Sequence, residues 1–152
     1  MGSNTKKAEE YYLQGYNCAQ SVFCSFPEVT GLTLEQAAGM SGTLGGGMGG
    51  MREVCGAVSG ALMVLGAAGD YRRPKEPENK ERAYALAQEF ARRFKEKHGT
   101  IICRDLPRNK AFEGPGPEPF SEEYYELKPC AGYIRDAAQI VTELLAEMES
   151  AK

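Results

Sequence analysis

The chain has 152 residues, enough for one substantial core and too few for two ordinary ones. Its 18 Lys and Arg against 21 Asp and Glu leave a net charge of -3, so the composition supplies no basic field for nucleic acid or anionic lipid. Five cysteines are too few for a secreted disulfide scaffold and more than most cytosolic chains carry without a reason. We therefore expect one domain spanning residues 1–152, with no nucleic-acid partner.

Targeting signals are not visible in the sequence. The polar segment Met1–Lys7 lacks the apolar stretch of a signal peptide. The longest apolar run, Val54–Ala68, is interrupted by glycines and is shorter than the roughly 20 residues of a membrane span. We therefore expect a cytoplasmic protein without direct membrane insertion, in a reducing compartment where cysteines are normally thiols.

Apolar residues recur every three to four positions through most of the chain. This spacing predicts an all-α fold, a single-domain bundle of about four to five helices. After a disordered start at residues 1–4, we expect the first helix to run from a cap at Asn4 to Pro27. Cys18 lies on the apolar stripe of this helix, whereas Cys24 is turned about 120° away from it.

A capping box of Thr33 and Gln36 predicts a second, short helix that ends near Met40. A glycine-rich stretch follows. It formally contains G-x-G-x-x-G, but the segment before it has a helical pattern, which disfavours a dinucleotide site. We expect a flexible loop whose amides form a weak site for a small anion or substrate. The candidate binding residues are Gly45, Gly46, Gly47, Gly49 and Gly50.

The next helix is expected from about Met51 to Gly66, with Cys55 about one turn inside it. One flank of this helix has almost no side chains, which predicts close packing against another helix or a dimer surface. The residues of that flank are Gly56, Ala57, Gly60 and Ala61.

Two longer helices are predicted in the second half of the chain. One runs from about Glu78 to His98, where Gly99 stops it, and the other covers Cys130–Met148. Between them, Pro107–Pro129 is rich in proline and has little periodicity, so it is either a lid or a wrapped surface loop. Because His98 ends a helix, a capping role is simpler for this single histidine than a Cys–His catalytic pair.

Two cysteines occupy positions that favour a thiolate. Cys130 lies in the first turn of the last helix and Cys55 near the start of its own, where backbone amides lower a thiol pKa. Arg52, one turn before Cys55, adds a positive charge. Because the inward stripes of three helices carry Cys18, Cys55 and Cys130, the fold can bring these thiols together. No C-x-x-C pair is present, so a metal site would have to be assembled across helices.

The order of these features resembles a family of small redox-active proteins named for the pattern C_GCAxxG_C_C. The resemblance covers nearly the whole chain, and its most specific part is a Cys-Gly-Ala-x-x-Gly block after a glycine run. It rests on Asn17-Cys18-Ala19-Gln20-Ser21-Val22, Gly45–Gly50 leading into Glu53–Gly60, Gly99–Leu106 and Cys130. The resemblance implies a small helical protein with a redox role and four signature cysteines, Cys18, Cys55, Cys103 and Cys130. Cys24 has no place in the pattern.

Three functions fit these residues. The leading hypothesis is a thiol-dependent oxidoreductase in which Cys55 is the most activated thiolate and Cys18, Cys103 or Cys130 resolves it. The second hypothesis is a zinc or iron-sulfur site held by the same four cysteines. The third is a helical interaction module with inert, buried cysteines. The cysteine pairing, the substrate or redox partner and a homodimer stay open, as does an association with a transporter, which the resemblance suggests.

Overall fold

The computed structural model describes residues 2–107 and 130–151, which form the all-α single domain predicted from the sequence. Five helices in these ranges have eight residues or more, in agreement with the expected bundle. The helices are α1 (Ser3–Leu13), α2 (Cys18–Phe23), α3 (Pro27–Thr30), α4 (Leu34–Ser41), α5 (Gly45–Met48), α6 (Gly56–Ala68), α7 (Pro77–His98) and α8 (Cys130–Ser150). Short 3-10 turns cover Gly42–Leu44 and Cys103–Asp105.

The helices in the described ranges are all too short or too polar to cross a membrane. Apart from Pro107 itself, the predicted loop Pro107–Pro129 lies outside the described residues. Its expected role as a lid therefore stays a prediction.

The N-terminal region contains two separate helices, α1 and the short α2, where we predicted one. Gly15 adopts a φ of 107°, a left-handed conformation that interrupts the helical path after α1. The Asn17 side chain then accepts a hydrogen bond from the Gln20 N–H at 2.9 Å, and the Gln20 side chain accepts one from the Asn17 N–H at 3.0 Å. This capping box starts α2. The prediction of one helix over Asn4–Pro27 is therefore wrong.

Asn4 is a helical residue and not a cap. Because α1 begins at Ser3, the expected disorder of residues 1–4 is wrong for Ser3 and Asn4. The side-chain amide of Asn4 donates hydrogen bonds to the Ser25 carbonyl at 2.8 Å and to Glu28 Oε1 at 2.6 Å. These bonds join α1 to the connection between α2 and α3 and to α3 itself.

Three helix boundaries agree with the predictions. Thr33 and Gln36 form the expected capping box at the start of α4. Gly99, with a φ of 87°, follows the end of α7, and α8 begins at Cys130.

Helix α6 begins at Gly56, later than the predicted start near Met51. The reason is a long-range contact, because Val54 pairs with Ile102 in an isolated antiparallel bridge. The bridge holds the chain extended up to Cys55. Cys55 is therefore the N-cap of α6 and does not lie one turn inside the helix.

The glycine-rich stretch forms an ordered left-handed turn. Its carbonyl groups accept hydrogen bonds from the residues that follow, since the Arg52 N–H donates to the Gly46 carbonyl at 3.0 Å and the Glu53 N–H donates to the Gly47 carbonyl at 2.8 Å. Glycine adopts left-handed backbone angles without the steric cost that a Cβ brings, so the geometry accounts for the composition. Consecutive φ values between 64° and 79° occur at Gly46, Gly47, Met48, Gly49 and Gly50.

Met48 carries a side chain within this left-handed run, with a φ of 69°. Replacing Met48 with glycine is expected to raise the free energy of unfolding by about 0.5–1 kcal/mol, because relief of backbone strain exceeds the added entropy of the unfolded chain. Chemical denaturation measures the change. Met51→Gly is the matched control, since Met51 is also exposed but does not have a positive φ. A loss of stability in Met48→Gly equal to that of the control would contradict the strain argument.

The side-chain-poor flank of α6 packs inside the domain. Helix α6 contacts α2 and α8, and α8 also contacts α1 and α7. A Cβ at Gly60 would lie 2.6 Å from the Ala19 carbonyl oxygen of α2. The flank is therefore the predicted close-packing surface, and its alternative use as a dimer surface is wrong because it is covered within the chain. All four flank residues are buried: Gly56, Ala57, Gly60 and Ala61.

Candidate redox site

Cys55 lies at the centre of the candidate site. Only 4% of its surface is exposed, and its N–H donates a hydrogen bond to the Ile101 carbonyl at 2.8 Å. Burial raises the pKa of the Cys55 thiol well above its ordinary value, and the neighbouring Cys18 raises that pKa further. The backbone N–H groups of Val58 and Ala57 lower it. Because burial has the largest effect, Cys55 is a neutral thiol near pH 7 in the reduced protein.

The expectation that Cys55 is the most activated thiolate is therefore corrected for the reduced protein. The predicted influence of the helix N-terminus is present, although Cys55 forms no capping hydrogen bond of regular geometry. Removing a thiolate from water costs more free energy than these amide dipoles contribute. Arg52 does not lie one helical turn before Cys55 either, because it precedes the bridge with a φ of 59°.

Cys18 is the first residue of α2 and is partly exposed. A Cβ at Gly56 would overlap the sulfur of Cys18. Since Gly56 directly follows Cys55, the missing side chain lets the Cys18 thiol lie beside the start of α6. Asn17 fixes the preceding turn, because its side-chain amide donates a hydrogen bond to the Gly42 carbonyl at 3.0 Å.

Cys130 is the third cysteine near this site. It is the first residue of α8, is partly exposed and packs against the core. Cys130 also raises the pKa of Cys55, less strongly than Cys18 does. The structure thus places Cys18 and Cys130, each at a helix start, within electrostatic reach of Cys55, and Cys18 has the stronger effect.

Cys103 directly follows Ile102, so the backbone bridge with Val54 connects it to the site. It opens a 3-10 turn, and its N–H donates a hydrogen bond to the Glu53 carbonyl at 2.6 Å. A Cβ at Gly47 would lie 2.7 Å from the Cys103 Cβ, so the left-handed turn packs directly on this cysteine. Cys103 is partly exposed.

An ion pair that the sequence did not predict reinforces this bridge. Arg104 Nη1 and Nη2 donate hydrogen bonds to the two carboxylate oxygens of Glu53, at 3.1 and 3.0 Å. The hydrogen bond with Glu53 raises the pKa of Arg104. The two residues are far apart in the sequence, so no local pattern indicates their contact.

The surroundings of Cys24 differ from those of the other four cysteines. It caps the C-terminal end of α2, opposite Cys18, and is buried in the core. Its sulfur is 4.0 Å from the Leu34 carbonyl oxygen. Burial raises the pKa of Cys24 to about 11. These features suit an inert core thiol.

Cys24 should make the folded protein sensitive to alkaline pH. Its thiol stays neutral in the folded state up to about pH 11, whereas in the unfolded chain it ionises near its ordinary value of 9.0. The stabilisation is therefore complete below pH 9 and is lost as the pH rises towards 11. We expect the unfolding free energy of the wild type to fall more steeply over this window than that of Cys24→Ala. Parallel slopes in urea titrations at stepped pH would contradict this expectation.

His98 pairs with a carboxylate of another helix. Its Nε2 lies 2.9 Å from Asp136 Oδ2 on α8, and its ring packs against Phe94 and Tyr133. The histidine therefore links the end of α7 to α8. Sequence reasoning missed Asp136 because the contact joins two distant helices.

The described part of the chain holds no preformed ligand set for the metal alternative. Among residues 2–107 and 130–151, no three side chains of His, Cys, Asp or Glu are grouped as a metal site. All five cysteines lie in these ranges, and none of them is joined in a disulfide there. Zinc or an iron-sulfur cluster on Cys18, Cys55, Cys103 and Cys130 would need a rearrangement of these thiols.

The position of the glycine-rich stretch argues against the predicted anion site there. Because α6 begins at Gly56, the amides of Gly45, Gly46, Gly47, Gly49 and Gly50 do not stand at the N-terminus of that helix. Two of these glycines instead allow close approaches next to cysteines. A Cβ at Gly45 would overlap the Asn17 side chain beside Cys18, and one at Gly47 would press on Cys103.

A family model described as "Putative redox-active protein (C_GCAxxG_C_C)" matches residues 16–144. The chain belongs to the C_GCAxxG_C_C family. Comparison with curated proteins and with solved structures found no similar protein. The family membership confirms the resemblance seen in the sequence.

The structure gives a physical reason for both glycines of the Cys-Gly-Ala-x-x-Gly block. The block reads Cys55-Gly56-Ala57-Val58-Ser59-Gly60 in this chain. Its first glycine makes room for the sulfur of Cys18, and its second makes room for the Ala19 carbonyl. The block therefore contains the Cys55 thiol and leaves space for the Cys18 thiol.

Proposed function

We propose that this member of the C_GCAxxG_C_C family is a thiol-disulfide oxidoreductase whose working pair is Cys18 and Cys55. The observation that supports this most directly is the position of the Cys18 sulfur against Gly56, next to Cys55. Cys18 is also the thiol that most strongly raises the pKa of Cys55. Cys18 is therefore close enough to influence the ionisation of Cys55.

Exposure assigns different roles to the two thiols. Cys18 is partly exposed and can reach an external disulfide, whereas Cys55 is buried. In the first step, the Cys18 thiolate attacks one sulfur of a substrate disulfide, and the other substrate sulfur leaves as a thiolate that takes up a proton. In the second step, Cys55 loses its proton and attacks the Cys18 sulfur, which releases the second substrate thiol. The protein dithiol is oxidised by two electrons and the substrate disulfide is reduced.

The raised pKa of Cys55 fits the resolving role. Part of the increase comes from the negative charge that Cys18 carries as a thiolate. Once Cys18 is held in a mixed disulfide, that charge is gone. The N–H groups of Val58 and Ala57 still favour the Cys55 thiolate. Cys55 is thus easier to deprotonate at the moment when it must attack.

The substrate class is a disulfide, carried by a small molecule or by a redox partner protein. A reducing cytoplasmic compartment, as expected from the sequence, would keep the pair as thiols until such a disulfide arrives. The reverse reaction uses the same atoms, so the direction depends on the relative reduction potentials of the two pairs.

Oxidised glutathione is a suitable probe because it is a small, exposed disulfide. Reduced wild-type protein should form an internal disulfide, whereas Cys55→Ser should accumulate glutathione on Cys18. Cys18→Ser should react at least about tenfold more slowly. Cys24→Ser is the matched control, a buried cysteine outside the site, and should behave as the wild type. Acid quenching, alkylation of remaining thiols and mass spectrometry of peptides distinguish these products.

Two results would contradict the proposal. One is an internal disulfide of Cys18 with another cysteine in Cys55→Ser that forms as fast as the internal disulfide of the wild type. The other is a loss of reactivity in Cys24→Ser as large as that in Cys18→Ser, which would indicate a general effect of altered folding.

A further inference from the structure

The bridge between Val54 and Ile102 places Cys103 and Cys55 on the same face of two paired backbone segments. The Cys55 N–H donates to the Ile101 carbonyl at 2.8 Å and the Cys103 N–H donates to the Glu53 carbonyl at 2.6 Å. Successive side chains alternate across an extended segment, so the residues that flank each bridge residue project to the opposite side from it. Cys55 and Cys103 are therefore diagonal neighbours across the bridge.

Diagonal neighbours in an antiparallel pair are about 7–8 Å apart, with their Cβ atoms somewhat closer. A disulfide needs Cα atoms within about 4.4–6.8 Å. A local shift of roughly 1–2 Å is thus enough to join the two sulfurs.

Burial changes steadily along this face. Cys55 is buried, Ile101 is partly buried against the core, and Glu53 at the other end is exposed. Cys103 is partly exposed at the margin between them. The face therefore runs from the buried Cys55 thiol to the surface. It lies on the side of Cys55 next to the bridge and not on the side next to α2.

Two contacts hold Cys103 in this position. Gly47 packs on it, since a Cβ at Gly47 would lie 2.7 Å from the Cys103 Cβ. The Glu53–Arg104 pair fastens the same bridge at its exposed end, with hydrogen bonds of 3.1 and 3.0 Å.

We propose that Cys103 is a relay thiol that takes over the disulfide from the Cys18–Cys55 pair. The Cys103 thiolate attacks the Cys55 sulfur, the Cys55–Cys103 bond forms, and the Cys18–Cys55 bond breaks. Cys18 leaves as a thiolate and takes up the proton that Cys103 lost. No electrons are gained or lost, so the step needs no further oxidant. The relay rests on the proposed function and carries the disulfide from the α2 side of the site to the bridge.

A time course with oxidised glutathione tests the relay. In the wild type, the Cys18–Cys55 disulfide should appear first and Cys55–Cys103 should follow, whereas Cys103→Ser should stop at Cys18–Cys55. If Cys18–Cys55 forms normally and Cys55–Cys103 never appears, the relay is overturned and the proposed function stands. If Cys55–Cys103 forms equally fast in Cys18→Ser, or if Cys55 forms no disulfide, both are overturned.

A pair of glycine variants tests the positioning role of Gly47. Gly46→Ala and Gly47→Ala introduce similar backbone strain, with φ values of 64° and 69°, but only the second adds a Cβ in close contact, 2.7 Å from the Cys103 Cβ and 2.6 Å from the Arg52 Cα. We expect Gly47→Ala to lower the ratio of Cys55–Cys103 to Cys18–Cys55 disulfide about fivefold, the equivalent of about 1 kcal/mol. Gly46→Ala should leave the ratio unchanged. Equal ratios in the two variants would contradict this role of Gly47.

The ion pair offers a second test that leaves the glycine turn intact. Arg104→Ala should lower the same ratio roughly twofold, because the pair is exposed and contributes modestly. The reversed pair Glu53→Arg with Arg104→Glu should restore it. Absence of any change in Arg104→Ala, together with equal ratios in the glycine variants, would overturn the assignment of Cys103.

Discussion

Replacing Gly60 with alanine is expected to lower the free energy of unfolding by about 3 kcal/mol. The added Cβ would lie 2.6 Å from the Ala19 carbonyl oxygen and 3.3 Å from the Ala19 Cα, so it meets backbone that cannot rotate away. Overpacking of this kind typically costs about 1–3 kcal/mol and more when helices must separate. The better helix propensity of alanine offsets less than about 1 kcal/mol of that cost.

Gly66→Ala is the matched control for this substitution. Gly66 is in the same helix, but its Cβ would meet nothing within 4 Å. Here only the propensity effect remains, so stability should rise by about 0.5–1 kcal/mol. Chemical denaturation of both variants gives the comparison. Similar changes in the two variants, in either direction, would show that α6 and α2 do not pack through Gly60.

The second large effect is expected for Gly56→Ala, which should change both stability and thiol chemistry. Its Cβ would overlap the Cys18 sulfur and would lie 3.0 Å from the Leu44 carbonyl oxygen. We expect a loss of about 2–3 kcal/mol in unfolding free energy, because the Cys18 side chain can move aside but the carbonyl cannot easily do so. The displaced sulfur should then react with Cys55 at least about tenfold more slowly.

The comparison with Gly60→Ala separates these two consequences. Both variants are destabilised, but Gly60 contacts backbone of α2 and not a thiol. Disulfide formation should therefore be slowed in Gly56→Ala far more than in Gly60→Ala, measured under conditions where both are folded. Equal slowing would mean that loosened packing, and not the position of Cys18, controls the reaction.

Local features of the fold were predictable because their causes are local. The capping box of Thr33 and Gln36 and the glycine stop after His98 lie within a few residues of the boundaries that they set. The equivalent box of Asn17 and Gln20 was present in the sequence as well. It was overlooked because the apolar stripe continues through it, and Gly15 was the available signal for the break.

The sequence predicts which cysteines are candidates for the site but not the electrostatics around Cys55. The sequence pattern indicates Cys18, Cys55, Cys103 and Cys130, and in the structure Cys18 and Cys130 both raise the pKa of Cys55. The start of α6 depends on a pairing between Val54 and Ile102, which no local pattern reveals. Burial then reverses the expected acidity of Cys55, because desolvation is a property of the packed domain.

In the proposed mechanism, Cys18 and Cys55 form a dithiol-disulfide pair. The most direct measurement is peptide mapping of the wild-type protein after oxidised glutathione is added and the reaction is quenched early in acid. We expect the first internal disulfide to join Cys18 to Cys55, while Cys24 remains a thiol. A first disulfide that excludes either Cys18 or Cys55, or a protein that stays fully reduced, would contradict it.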